Sequence, residues 1–285
     1  MIQRALVAIF VFAAACGPSA SGNGTTDGSG TGSGDGGGDQ TGCEGIPNCY
    51  SVYAHSDDTL YVIDLMSKSL QTVGKFNAPM NDTITDLAVG PDGTIYVISE
   101  TALYTASGTD GHVTLVGSLA ACGTKGVALT TLPNGQIWEG DFSGALCQID
   151  TSQTPPHVGT PVHMGSGMAL SGDLVAIGDG TVYGTAYKTS DGSNQGTQLS
   201  NVLVTIDMTS GAVTQIGATG YPKLFGVSVA ENSVIGFTHD QTGHVVKIDP
   251  TSGAATVFAT FNDPTTQMPI SFAGAGVSPM VTIIQ

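Results

Sequence analysis

Apolar and β-branched residues occur along this chain in short runs, each broken by Gly, Pro, Asn or Asp, and after the first fifteen residues no useful stretch has helix period. Ile84 to Val89 is mostly apolar, as in a strand buried on both faces; Gly90-Pro91-Asp92-Gly93 is a turn by composition; Thr94 to Ser99 is β-branched and aromatic. Ala102 to Ala106, the turn Gly108-Thr109-Asp110-Gly111 and Val113 to Val116 complete an antiparallel meander of four strands. The pattern returns. An aliphatic or aromatic pair, often with Ile-Asp, precedes a turn and a strand ending at Gly, starting at Leu60, Leu103, Leu146, Leu203 and Val245 in steps of 43, 43, 57 and 42 residues. The terminal Gly is Gly74, Gly117, Gly159 and Gly217, but Ala259 in the fifth copy.

Repeated four-stranded sheets of this length predict an all-β fold, a β-propeller of antiparallel blades, each burying its faces on its neighbours. Tyr50 to Ser56 begins at a second-strand position, and Phe272 to Ser278 supplies the missing innermost strand. Closure by N- and C-terminal strands gives five blades; six is the alternative, with Met280 to Gln285 as a further strand or a partial blade inside the long fourth unit. That unit carries a polar insertion, Thr189 to Ser200, expected to project as a hairpin loop. The phrase Ile-Asp-x-x-Ser-Gly, at Ile206 to Gly211 and Ile248 to Gly253, resembles bacterial propellers of the YVTN and quinoprotein-like type. The resemblance covers most of residues 50–285 and speaks for fold rather than activity.

The chain divides into residues 1–15, 16–42 and 43–285. Arg4 and the apolar stretch Ala5 to Ala15, too short to span a bilayer, read as an export signal. Its end, Ala13-Ala14-Ala15-Cys16-Gly17, resembles the bacterial lipoprotein signal, or lipobox, with Ala13 where that family usually has Leu. The resemblance implies cleavage before Cys16 and fatty acylation of Cys16, palmitate being the usual class of chain. It also implies outer-membrane delivery, since Gly17 stands where inner-membrane retention uses Asp. An ordinary secretory peptide cut near Ala15 is the alternative. Gly17 to Gly42, almost all Gly, Ser, Thr and Asp, cannot bury enough apolar area to order itself. As a flexible tether it spans about 25–30 Å r.m.s..

Formal charge is −16, with seven Lys and Arg in all, so no basic stripe exists to neutralise phosphates and a nucleic-acid partner is excluded. Four cysteines remain beside Cys16. In an exported chain they predict disulfides: Cys43 with Cys49 and Cys122 with Cys147 by proximity, out of three formal pairings.

The chemistry is sparse. His55, Trp138, Asp141, His239 and Asp240 fall near the second hairpin of their repeats and are candidate binding residues, although that hairpin is expected to lie outward from the axis. Asp64, Asp150, Asp207 and Asp249 repeat, and their Thr, Ser and Gly neighbours mark them as turn formers. Trp138 is expected to pack between blades. With one Trp, the chain lacks the repeated docking motifs of quinone-dependent dehydrogenases; it has neither Gly-x-Ser-x-Gly nor His-Glu-x-x-His. No cofactor is indicated; an axial calcium would need carboxylates on inner strands, where Asp86 and Asp173 are available. The reading is a lipid-anchored envelope propeller that binds a protein or peptide or acts as a scaffold. The alternatives are a calcium-dependent hydrolase or lyase with an axial site, and a purely structural envelope component.

Overall fold

The computed structural model describes residues 51–79, 82–120, 122–123, 125–191, 201–230 and 232–283. Cys16, the tether, Cys43, Cys49 and most of the insertion before Asn201 lie outside the described residues.

Five antiparallel sheets make five blades. The first contains β1 (Ser51–His55), β2 (Thr59–Asp64) and β3 (Ser69–Lys75), and the second β4 (Ile84–Val89), β5 (Ile95–Ser99), β6 (Ala102–Ala106) and β7 (Val113–Ser118). In the third, β8 (Gly126–Thr131), β9 (Ile137–Asp141) and β10 (Ala145–Asp150) are followed by two short pieces, β11 (His157–Val158) and β12 (Val162–His163), both paired with β10. The fourth has β13 (Met168–Ala176), β14 (Val182–Lys188), β15 (Val202–Ile206) and β16 (Val213–Ala218); the fifth has β17 (Leu224–Ala230), β18 (Ser233–Thr238), β19 (His244–Ile248) and β20 (Ala255–Thr260). β21 (Gly274–Gly276) returns to the first sheet as its innermost strand, Tyr53 opposite Gly276 and His55 opposite Gly274. Five blades is thus the count, and both ends of the ring share one sheet. Residues 280–283 form no strand; Val281 is buried and its carbonyl accepts from Gly178 N–H at 2.8 Å.

Burial follows the radial position of a strand. Inner strands such as β13 are buried along their whole length, whereas the outermost strands β7, β16 and β20 share one largely exposed pattern. Apolar residues from adjacent blades therefore form the core, with Tyr61, Val227, Phe237 and Phe272 in one cluster and Trp138, Met168, Leu170 and Val204 in another.

The repeated Gly has a packing role. A Cβ on Gly74 would lie 1.9 Å from the Asp110 carbonyl oxygen, and one on Gly217 would lie 2.0 Å from that of Ser252. Each glycine receives the outer turn of the next blade, and those turns cross it at their own positive-φ glycines, Gly111 and Gly253. The fifth blade differs on both sides of this contact. Ala259 replaces Gly, and the facing turn of the first blade has Lys68 at positive φ, where the turns of the second, fourth and fifth blades have Gly111, Gly211 and Gly253. Lys68 Nζ spans this last seam, donating to the Phe258 carbonyl at 3.1 Å and lying 4.3 Å from the Phe258 ring centroid.

The repeated aspartates close those turns. Asp207 Oδ1 accepts from the amides of Thr209 and Ser210, and Asp249 Oδ1 from Thr251 and Ser252. Asp64 and Asp150 do the same for Ser67 and Ser152. Hydrogen bonding to the ionised form holds all four below the usual carboxylate range.

Candidate functional site

Every blade contributes to one cavity at the axis. On the face where the inner strands begin, a pocket of about 310 Å³ is lined by Thr85, Val127, Phe225 and Ala273 beside those strands and by Asp57, Glu100, Phe142 and His239 from the hairpins between second and third strands. These hairpins border the same pocket as the starts of the inner strands, contrary to the expectation that they lie outward, as the twist common to β-sheets allows. Phe225 stacks on His239 with centroids 4.7 Å apart and planes at 12°, and Phe142 lies 6.3 Å beyond. His239 Nδ1 is fixed against the Phe272 carbonyl at 3.0 Å and Ser271 Oγ at 3.2 Å. Lys125 Nζ pairs with Glu100 at 2.5 Å, both side chains about half exposed.

A larger groove, about 690 Å³, runs along the rim between the first and fifth blades. Its polar groups already serve one another: Lys75 pairs with Asp58 at 2.7 Å, and Tyr61 donates to Asp263 at 2.8 Å. The axial mouth draws its lining from the whole ring, and we take it as the candidate site.

Below the mouth the axis is closed by the two aspartates. Each continuous inner strand slips register at one level, between Ile84 and Asp86, Gly126 and Ala128, Leu170 and Leu174, and Leu224 and Gly226. Such bulges re-aim side chains. Here they present Asp86, Ala128, Asp173 and Gly226 at one level, with Gly274 of the closing strand beside them. Asp86 accepts the amides of Leu87 at 2.8 Å and Leu129 at 2.6 Å. Asp173 accepts those of Leu174 at 2.5 Å, Val227 at 2.8 Å and Ala275 at 3.3 Å. One backbone amide from each of the five inner strands thus ends on this pair. The two carboxyls are fully buried. Burial first, and for Asp86 the charge of Asp173 next, raise both well above the ordinary carboxylate range.

That surrounding bears on the axial-calcium expectation. The structure does bring Asp86 and Asp173 to the axis, but their oxygens face five amide hydrogens, the inverse of the oxygen cage a cation requires. Among the described residues no group of three or more His, Cys, Asp or Glu side chains converges as metal ligands.

The remaining candidates separate. Only His239 lines the mouth. His55, fully buried at the end of β1, meets Asp86 beside Gly274, where a Cβ would lie 2.1 Å from Asp86 Oδ1 and 2.5 Å from His55 Nε2. Burial drives the His55 pKa down to about 4, opposed by the hydrogen bond to the Ser56 carbonyl and assisted by His239. Trp138 packs in the core between the third and fourth blades, as expected. Asp141 and Asp240 cap their hairpins, Asp141 Oδ1 accepting from Ser143 and Ala145 and Asp240 Oδ1 from Thr242. The disulfide Cys122–Cys147 is present, with Cα atoms 5.7 Å apart. It ties down the segment leading to Lys125, and Gly123 lies so close to Asp141 that a Cβ would sit 2.1 Å from Oδ2. Sequence reasoning missed Asp57, Glu100, Lys125, Phe142 and Phe225; all sit at strand ends or hairpin tips, and their offset from each repeat phrase was the available signal.

Glu139 on β9 is buried, and its Oε1 has no hydrogen-bond partner. Burial, then the charge of Asp141, raises its pKa from 4.5 to about 7. A raised carboxyl favours the fold while protonated: its contribution is complete below pH 4.5 and is lost as pH rises through 7. Glu139→Gln is therefore expected to be about 1–3 kcal/mol more stable than wild type at pH 8 and to show a flatter profile between pH 5 and 8. Urea unfolding across that range checks it; parallel profiles for the two proteins would refute it.

No family model matches the chain, and no curated protein does. Among solved structures it is similar to virginiamycin B lyase from Staphylococcus aureus, at 13% identity and a TM-score of 0.41, over 74% of this chain and 66% of that one. The match spans just under two thirds of the lyase. The architecture defined above is that of a five-bladed β-propeller with a closed axis and an open mouth.

Proposed function

We propose that this chain is a lipid-anchored protein of the cell envelope whose propeller binds a segment of a partner protein or peptide at its axial mouth. The observation that carries this reading is the pocket of about 310 Å³ to which every blade contributes, walled by Phe142, Phe225 and His239. The lipobox-like Ala13-Ala14-Ala15-Cys16 and the Gly- and Ser-rich residues after it supply the anchor and the reach. We place the protein at the outer membrane on the strength of Gly17. A binding role is preferred to an enzymatic one because the axial carboxyls are spent on backbone amides, and the His239 Nδ1 that meets Ser271 Oγ also faces the Phe272 carbonyl, to which it donates its proton and so does not act as a base toward Ser271.

A photo-crosslinking residue at Thr85 in the mouth, compared with one at Asp92 in the turn at the far end of β4, tests the site in intact cells. A partner crosslinked from Thr85 and not from Asp92 supports the reading; equal or absent crosslinking from Thr85 overturns it. Cys16→Ala should release the protein from the membrane fraction, and a variant that still sediments with membranes would sink the anchor.

A further inference from the structure

The mouth carries an unbalanced set of groups. Its lining has two carboxylates, Asp57 and Glu100, and one ammonium, Lys125. Asp57 stands exposed on the hairpin between β1 and β2. The apolar lining is Ile84, Val127, Phe142 and Phe225, and aromatic faces attract cations as carboxylates do. The chain as a whole is at −16, so the field focused into this cleft favours a positive visitor. A volume of about 310 Å³ lies at the small end of ligand pockets, room for one long side chain and not for a folded element.

We infer that the mouth takes a lysine or arginine side chain of the partner peptide, its charged head between Asp57 and Glu100 and its methylene stem along Phe142 and Phe225. The inference rests on the reading of the mouth as a peptide site and adds the chemistry of the anchoring residue. Lys125 then has a defined part. Its pair with Glu100 is half exposed on a flexible stem, and exposed pairs of this kind contribute little, so an incoming cation displaces it at small cost. Lys125 acts as a resident stand-in for the ligand, competing for Glu100 and sharpening selection.

This assigns opposite signs to two surface substitutions. Fluorescein-labelled Gly- and Ser-rich peptides of equal length, with Arg, Lys, Leu or Glu at the centre, are titrated against the tethered domain by anisotropy. Arg and Lys peptides are expected to bind at least about tenfold more tightly than the Leu peptide, with affinity falling as salt rises. Lys125→Ala should tighten the Arg peptide about two- to fivefold and Asp57→Asn should weaken it by a similar factor. A purely structural role for either residue moves neither value. Equal binding of the Leu and Arg peptides, or weaker Arg binding in Lys125→Ala, overturns the inference while leaving a peptide-binding mouth in place. If no peptide binds the wild-type domain, the inference falls together with the reading beneath it.

Discussion

Asp86→Ala is expected to lower the stability of the propeller by about 3–5 kcal/mol. The change deletes the acceptor of two buried amides, Leu87 and Leu129, and leaves Asp173 buried beside the space its neighbouring carboxyl filled. Asp173→Ala should cost as much, since it releases the amides of Leu174, Val227 and Ala275. Both raised pKa values give the pair the same sign of pH dependence: its stabilisation is complete below the ordinary carboxylate range and is lost as pH rises through the folded-state values. Wild type should therefore weaken on the alkaline side, whereas Asp86→Ala, already deprived of the pair, should show a smaller alkaline slope. Urea midpoints for the two proteins at several pH values decide the matter. A cost below 1 kcal/mol for Asp86→Ala would mean that the amides find other acceptors and that the axial plug is dispensable.

Opening the Cys122–Cys147 disulfide should cost about 3.5 kcal/mol, the loop entropy returned to the unfolded chain for a separation of 25 residues. The measurement is the urea midpoint of the Cys122→Ala/Cys147→Ala double variant against oxidised wild type, with both m values compared to separate native from unfolded-state effects. The disulfide also holds the segment that carries Lys125 to the mouth, so the double variant should lose the tightening that Lys125→Ala produces in wild type. An unchanged midpoint would show that pairing of β8, β9 and β10 already fixes the loop.

The fold was readable from the sequence because each blade spells the same local physics. The run at Ile84 to Val89 announces a strand buried on both faces, and the Asp-capped turns after Ile206 and Ile248 fix where the third strand must end. The missing strand near Phe272 could be inferred from the way Tyr50 to Ser56 starts one strand too late. Even the exception at Ala259 has a material cause, since Lys68 and Phe258 meet at that seam in place of two glycines. The mouth was far less legible. Period-two patterning states which face of a strand is buried, but not how far its hairpin leans. Glu100, Phe142 and His239 therefore read as scattered tips until the twist brought them to one opening. The axial pair was named from the sequence only as carboxylates available to a calcium; the amides on their oxygens were not legible there. Asp86 and Asp173 stand on blades separated by one carrying Ala128, so no repeat links them, and the amides that claim their oxygens belong to residues that look like ordinary core.

The short strand Gly274–Gly276 has a consequence in time as well as in space. A chain made from its N-terminus forward has β1 from the start, but Tyr53 must wait for Gly276 before its sheet is whole. Until then Asp173 also lacks the Ala275 amide, so the central plug and the ring are completed by the same late arrival. Partial chains are thereby denied both a closed edge and a satisfied axis, and a pairing that spans more than two hundred residues of chain is intrinsically slow to form.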